Sequence, residues 1–398
     1  MFPHKAITSL LFAFIFFPLS SFAQNWTQSE IEKISSLSLK NLEYPVDPSN
    51  KYLNDPAVIS FGKALFNDTR LSSNKKISCA ICHIESSAFT DNRNLAVGLR
   101  QGFRNTPSLL NAAQHNWFFA DGAKDNLWAQ VLSSIENPAE QNFSRVELLH
   151  FIASDQKLIN QYELLFNNRF PSYTEVDQLP IKAGPNARLA QLISWKKLTK
   201  EQKDITNRVF VDIGKAIAAY VSTLKSEPIR FDLFAEDLAL NGKSEILNDS
   251  EQRGLKLFIG AESGCANCHS GPLFSNKEFH NIGTGILAKD NGRSEIIESV
   301  IRDEFNCLGK YSDAKPDQCM ELKYINRNKH SLSGAFKTSS LRGIKDTAPY
   351  MHDGRYMTLN EVMEHYKRMS KLPRQTDLAT IDLSKEQQAD IVNFLMSL

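Results

Sequence analysis

The chain has 398 residues, 42% of them hydrophobic and 23% charged, with a formal net charge of +1. That length allows two ordinary domains with buried cores, and the composition excludes a disordered or collagen-like chain. A near-neutral charge gives no bulk reason to expect nucleic acid or an anionic membrane as partner.

In chain order, MFPHKAITSLLFAFIFFPLSSFAQ places Lys5 ahead of an apolar stretch from about Ile7 to Leu19, then Ser21-Phe22-Ala23. This pattern predicts a secretory signal over residues 1–23, cleaved after Ala23. A membrane anchor needs roughly 20 apolar residues, more than this run offers. No later stretch is apolar enough to span a bilayer, so the mature chain is expected to be soluble in a bacterial periplasm.

Export frames the six cysteines, Cys79, Cys82, Cys265, Cys268, Cys307 and Cys319, for which disulfides are the default. Four of them stand in Cys79-Ala-Ile-Cys82-His83 and Cys265-Ala-Asn-Cys268-His269. Each cluster is a redox dithiol, half of a zinc site, or a point of haem attachment. A dithiol needs no histidine, whereas haem c uses all three residues: two thiols add to the vinyl groups and the imidazole reaches the iron. Two covalently attached haem c groups are therefore expected, with His83 and His269 as axial ligands. Cys307 and Cys319, in FNCLGKYSDAKPDQCMEL, read as a local disulfide worth up to about 3 kcal/mol, with two free thiols as the alternative.

GKALFNDTRLSSNKKISCAICHIESSAF and RGLKLFIGAESGCANCHSGPLF share Gly-x-x-Leu-Phe, the haem motif and a following phenylalanine, as a duplicated unit would. Helical spacing of apolar residues runs through VELLHFIASDQKLINQYELLF, VFVDIGKAIAAYVSTLKS, DLFAEDLAL and KEQQADIVNFLMSL. Ser384 with Gln387 forms a capping signal for the last of these. Pro228 and the polar NGKSEILNDSEQRG put a boundary near residues 228 to 245, giving domains 24–232 and 233–398. Period-two alternation is scarce. The expected fold is mainly α, two small haem domains with long loops.

FGKALFNDTRLSSNKKISCAICH, RNTPSLLN, FKTSSLRGIKDTAPYMHDGRYMTLNEVMEHY and the terminal helix together resemble the bacterial di-haem cytochrome c peroxidases. That group includes the MauG-type enzymes of methylamine utilisation. The resemblance covers nearly all of the mature chain, with the motifs in the same order. It implies two cytochrome c-like domains with a Ca2+ ion between them. The N-terminal haem would react with hydrogen peroxide, and the C-terminal haem would store and relay electrons.

The resemblance also carries site residues. In DGAKDNLWAQVLSSIENPAEQ it makes Gln130 and Glu140 the catalytic pair, one orienting the bound oxygen and the other shuttling protons. On its own, Glu140 reads as a solvated carboxylate at a helix start. Many members block the first iron with a loop histidine until the second haem is reduced. Here no histidine falls between His83 and His115, and the aligned position is Leu99, so an open first iron is expected without activation. His115 reads as a polar surface residue. Eight residues after Thr358, where many members have methionine, stands Tyr366, as in MauG-type enzymes. It is the implied second-iron ligand, with core packing or Met351, Met357, Met363 and Met369 as alternatives. Calcium would take the Asn105 side chain and the Thr347 and Pro349 carbonyls. One departure concerns the space between the haems: Ala120 and Ala123 replace the usual tryptophan and arginine, with Trp117 and Trp128 nearby as substitutes or as core residues.

The leading functional expectation is a periplasmic peroxidase that reduces hydrogen peroxide with electrons from a small cytochrome c or cupredoxin. The alternatives are a MauG-like enzyme that oxidises Trp or Tyr residues of a partner protein, and a plain electron-transfer cytochrome with both irons saturated by protein ligands. The sequence leaves the oligomeric state open, a homodimer included.

Overall fold

The computed structural model describes residues 25–43, 47–186, 189–285, 290–372 and 374–398; the expected signal, residues 1–23, lies outside them. The architecture is mainly helical, as the sequence predicts, with a single short antiparallel pair, β1 (Phe279–His280) and β2 (Phe336–Lys337), among the described residues. No described helix is long and apolar enough to cross a membrane.

Each haem motif follows a short helix that crosses a second helix at a glycine. In the first half, α2 (Pro56–Asn67) begins with Asp55 accepting from the Ala57 and Val58 N–H groups, and Pro56 pre-sets the first turn. It crosses α5 (Lys200–Val221) where a Cβ on Gly62 would lie 1.9 Å from the Ala216 carbonyl oxygen. In the second half, α7 (Asp249–Ile259) crosses α10 (Lys385–Leu395) at Gly254, whose Cβ would fall 1.9 Å from the Asp390 carbonyl oxygen. These are the glycines of the Gly-x-x-Leu-Phe repeat. Backbone touches backbone there, so any side chain would force the helices apart. The phenylalanines of the repeat, Phe66 and Phe258, are buried beside the crossings. The capping signal at Ser384 is realised: its hydroxyl accepts from the Gln387 N–H, and the Gln387 side chain accepts in return.

Two large hydrophobic cores result. One gathers Phe61, Leu65, Trp128, Leu132, Phe210 and Ile217; the other gathers Phe231, Phe234, Phe258, Phe274 and Phe394. The chain passes between them from Leu224 to Ile229, around Pro228. Much of the stretch expected to be a boundary is helix α6 (Arg230–Asn241), whose Phe231 and Phe234 are core residues. The cores also exchange segments. Helix α1 (Gln28–Ser36), with Ile34 and Leu37, packs into the second core, while Phe305 joins the first. VELLHFIASDQKLINQYELLF forms two helices, Arg145–Ala153 and Gln156–Phe166, because Asp155 caps the second one. Cys307 and Cys319 form a disulfide, and the Cys307 N–H donates to Asp125 Oδ2 at 2.8 Å.

Each core also buries one arginine. Arg145 meets Glu136 at 3.0 Å, and Arg342 holds Asp232 through two bonds of 2.9 Å. Such pairs satisfy otherwise unpaired buried charge.

Candidate functional site

The two Cys-x-x-Cys segments are single helical turns, α3 (Cys79–Cys82) and α8 (Cys265–Cys268), and each ends at its histidine. His83 Nδ1 lies 3.0 Å from the Phe89 carbonyl oxygen, and His269 Nδ1 lies 2.8 Å from that of Phe274. A carbonyl only accepts, so both Nδ1 atoms carry the proton and donate. Each Nε2 is left with its lone pair, the form that binds iron. Burial pushes the imidazole pKa values down, that of His269 to about 4, which keeps both rings neutral. Phe89 and Phe274 are the phenylalanines that follow each motif, and both have left-handed backbone, with φ of 58° and 51°. Their carbonyls, not their rings, hold the histidines.

Behind each phenylalanine is a serine that the sequence analysis did not single out. Ser108 Oγ donates to the Ala88 carbonyl at 2.6 Å, and Ser340 Oγ donates to that of Leu273 at 2.9 Å. The acceptor in each case immediately precedes the phenylalanine that holds the histidine. The signal was present as a second repeat, Thr106-Pro107-Ser108-Leu109 against Thr338-Ser339-Ser340-Leu341.

Opposite the shared hold, the halves differ. Helix α4 (Leu127–Glu136) starts with Asn126 as cap and carries Gln130 and Ser134 one turn apart. Gln130 Nε2 donates to Ser134 Oγ at 3.2 Å, and the Ser134 hydroxyl hydrogen-bonds the Glu140 carboxyl. Asn137, at the end of α4, donates from Nδ2 to Glu140 Oε1 at 2.7 Å. Burial raises the Glu140 pKa, against the pull of those two hydrogen bonds. The carboxyl is near enough to Cys79 and Cys82 to act on both thiols. Glu140 thus lies beside the first motif and is linked to Gln130 through Ser134, and burial, not full solvation, sets its carboxyl. The loop that carries Leu99 is fixed to the same place. The Leu99 N–H donates to the Glu140 carbonyl at 3.0 Å, and a Cβ on Gly98 would meet Glu140 Cα at 2.7 Å.

On the second side, α9 (Leu359–Met369) places Tyr366 against the other motif. Its buried phenol is pushed upward in pKa by desolvation and by the neighbouring Cys265 and Cys268. Of the four methionines, Met363 and Met369 are buried in packing and Met357 is exposed. Asn105 is tied to the segment that holds Thr347 and Pro349, because its N–H donates to the His352 carbonyl at 2.8 Å. Its amide nitrogen donates to the Arg93 carbonyl at 2.6 Å.

Between the halves, Trp117 packs on Phe279 at 6.2 Å, with the Arg293 guanidinium 3.9 Å from the tryptophan ring centre. Trp128 is a residue of the first core, its Nε1 donating to Ser49 Oγ at 2.8 Å. His115, expected at the surface, is instead packed inward with Nδ1 unpaired, and burial beside Lys337 and Lys277 holds its pKa well below the usual range.

The residues present fit haem. The thiols of each motif form no disulfide, and the adjacent histidine keeps its proton on Nδ1. Among the described residues, most of the buried polar side-chain atoms without a protein partner lie between 91 and 141: Asp91, Thr106, Gln114, His115 and Gln141. Buried polar atoms of this kind call for a water, an ion or another group to pair them.

The comparisons agree with this geometry. The family model described as di-haem cytochrome c peroxidase matches residues 56–239. The methylamine utilisation protein MauG of Methylorubrum extorquens is 31% identical over 347 residues, covering 86% of this chain and 78% of that protein. Cytochrome c551 peroxidase of Nitrosomonas europaea is 28% identical, covering 89% and 84%. The fold resembles that of the diheme peroxidase BthA from Burkholderia thailandensis, with a TM-score of 0.60 at 20% identity over 89% of this chain and 88% of that one. Paired motifs, duplicated helix crossings and these relatives lead to one conclusion: the chain belongs to the di-haem cytochrome c peroxidase family, oxidoreductases that carry two haem c groups.

Proposed function

We propose that the protein is a periplasmic peroxidase that reduces hydrogen peroxide to water with electrons from a small cytochrome c or cupredoxin. The observation that carries this reading is the joining of Gln130 and Glu140 through Ser134 beside the first haem motif. Cys79, Cys82 and His83 would hold one haem, and Cys265, Cys268 and His269, together with Tyr366, the other. A haem bound at His83 would supply the redox chemistry for reducing the oxygen–oxygen bond. Glu140 accepts a proton from hydrogen peroxide and returns it to the departing oxygen, which leaves as water. Gln130 orients the bound oxygen by hydrogen bonding. Leu99 cannot ligate iron, so peroxide would reach the first site without prior reduction.

Three further assignments belong to this reading. Calcium is held by Asn105 and the Thr347 and Pro349 carbonyls, linking the halves. The domains are 24–232 and 233–398, a division that falls inside the first turn of α6, with α1 packed across it. Residues 1–23 act as the export signal. The test is stopped-flow mixing of the holoprotein with hydrogen peroxide, then with reduced donor. Steady oxidation of the donor supports the reading, and peroxide inertness at both haems sinks it.

A second reading, oxidation of Trp or Tyr residues on a partner protein, draws on Tyr366 beside Cys265 and Cys268. An anionic oxygen ligand lowers a haem potential relative to thioether. Tyr366→Met should then abolish partner oxidation, read as a mass change, while donor-fed peroxide turnover survives. An unchanged second-haem spectrum in that variant would remove Tyr366 from the ligand set.

A further inference from the structure

We infer that Ser134 is a positioning residue for the peroxide reaction, ordering Gln130 and Glu140 as one hydrogen-bonded unit; the inference rests on the roles proposed above for those two. Gln130 and Ser134 are four residues apart on α4, so their side chains share one face. The Gln130 amide nitrogen can only donate, which makes Ser134 Oγ the acceptor at 3.2 Å. The serine hydrogen is then available to the Glu140 carboxyl, with which the hydroxyl bonds.

Two consequences follow from that orientation. With its nitrogen committed to Ser134, the Gln130 amide cannot flip freely, and its oxygen end is fixed on the other side. Glu140 is gripped from two directions, by Ser134 on the helix and by Asn137 at the helix end. Asn137 is itself held, its Oδ1 accepting from the Ala139 N–H at 3.0 Å. Ser134 is therefore the link between the helix-borne glutamine and the loop-borne glutamate. Both grips favour the charged carboxylate, the form that accepts a proton, against the desolvation that disfavours it.

The test uses the holoprotein with Ser134→Ala, Ser134→Thr and Glu140→Gln. Alanine suits a helix better than serine, so α4 should persist and the melting temperature should hold. Two quantities are measured across pH: the second-order rate constant for hydrogen peroxide, and the infrared titration of the Glu140 carboxyl stretch. Ser134→Ala is expected to slow the reaction roughly tenfold on the acid side, the size of one hydrogen bond to a charged group. Its acid limb and its infrared midpoint should both move to higher pH, and Ser134→Thr should restore the parent profile. A parent profile in Ser134→Ala, with Glu140→Gln slow, overturns the inference and leaves the Glu140 role standing. Parent rates in both variants overturn the two together. Equal slowing at every pH with an unmoved infrared midpoint also overturns it, since that is the signature of packing alone.

Discussion

Around His83 and around His269 the chain repeats one arrangement. A glycine lets two helices touch, a phenylalanine carbonyl takes the Nδ1 proton, and a serine hydroxyl fixes the residue before that phenylalanine. Across from this shared hold the two sites part. The first presents Gln130, Ser134 and Glu140, groups able to donate, accept and move protons. The second presents the phenol of Tyr366, in a half whose core is built from Phe231, Phe258, Phe274 and Phe394. The lesson is that the repeat covers the residues that hold the two histidines, whereas Gln130, Ser134, Glu140 and Tyr366 lie in segments outside it. Gln130 and Ser134 come from α4, and Tyr366 comes from α9.

The contrast is broken most directly at Glu140. Glu140→Gln should leave both haems attached and slow the reaction with hydrogen peroxide by about 10²- to 10⁴-fold, as loss of one acid–base group does. Tyr366→Phe should leave that first step essentially unchanged while altering the second-haem spectrum. Equal rate losses in the two variants would erase the division of labour.

Stability separates the halves next. Arg342→Met strands Asp232 inside the second core and should cost about 3–5 kcal/mol in urea unfolding. A loss well under 1 kcal/mol would mean that solvent reaches Asp232 after all. Reduction of the Cys307–Cys319 bridge should cost about 3 kcal/mol, as closure of a short loop predicts. Its loss should loosen Phe305 and the first core before the second. Hydrogen exchange that opens the second core first would contradict this.

The smallest effect is in pH dependence. Burial raises the Glu140 pKa, so acidification removes its charged form sooner than it would for an exposed glutamate. The peroxide rate should fall as pH drops through that raised value and recover above it. The limb should vanish in Glu140→Gln. A limb that persists there belongs to another group.

Much of this was legible in the sequence. The paired Cys-x-x-Cys-His motifs, the Gly-x-x-Leu-Phe repeat and the Ser384 cap each state a local requirement in local residues. Gln130 and Glu140 were legible only through family resemblance, because ten residues of spacing do not by themselves join a helix to a loop. Ser134 went unnoticed for the same reason, since its role exists only once both partners converge. The carbonyls of Phe89 and Phe274 are invisible to any reading of side chains. The placement of α1 on the second core is a long-range choice that helical periodicity does not encode. His115 was misplaced because a polar residue in a loop gave no sign of its burial beside Lys337 and Lys277.

The central claim is that the two sites share a proximal hold and differ distally, the first open and the second closed by Tyr366. The spin states of the oxidised, resting holoprotein test it most directly, by electron paramagnetic resonance without prior reduction. The account predicts one high-spin haem and one low-spin haem, with only the low-spin signal changed by Tyr366→Phe. Two low-spin haems at rest would contradict it, since a protein ligand would then close the first site as well.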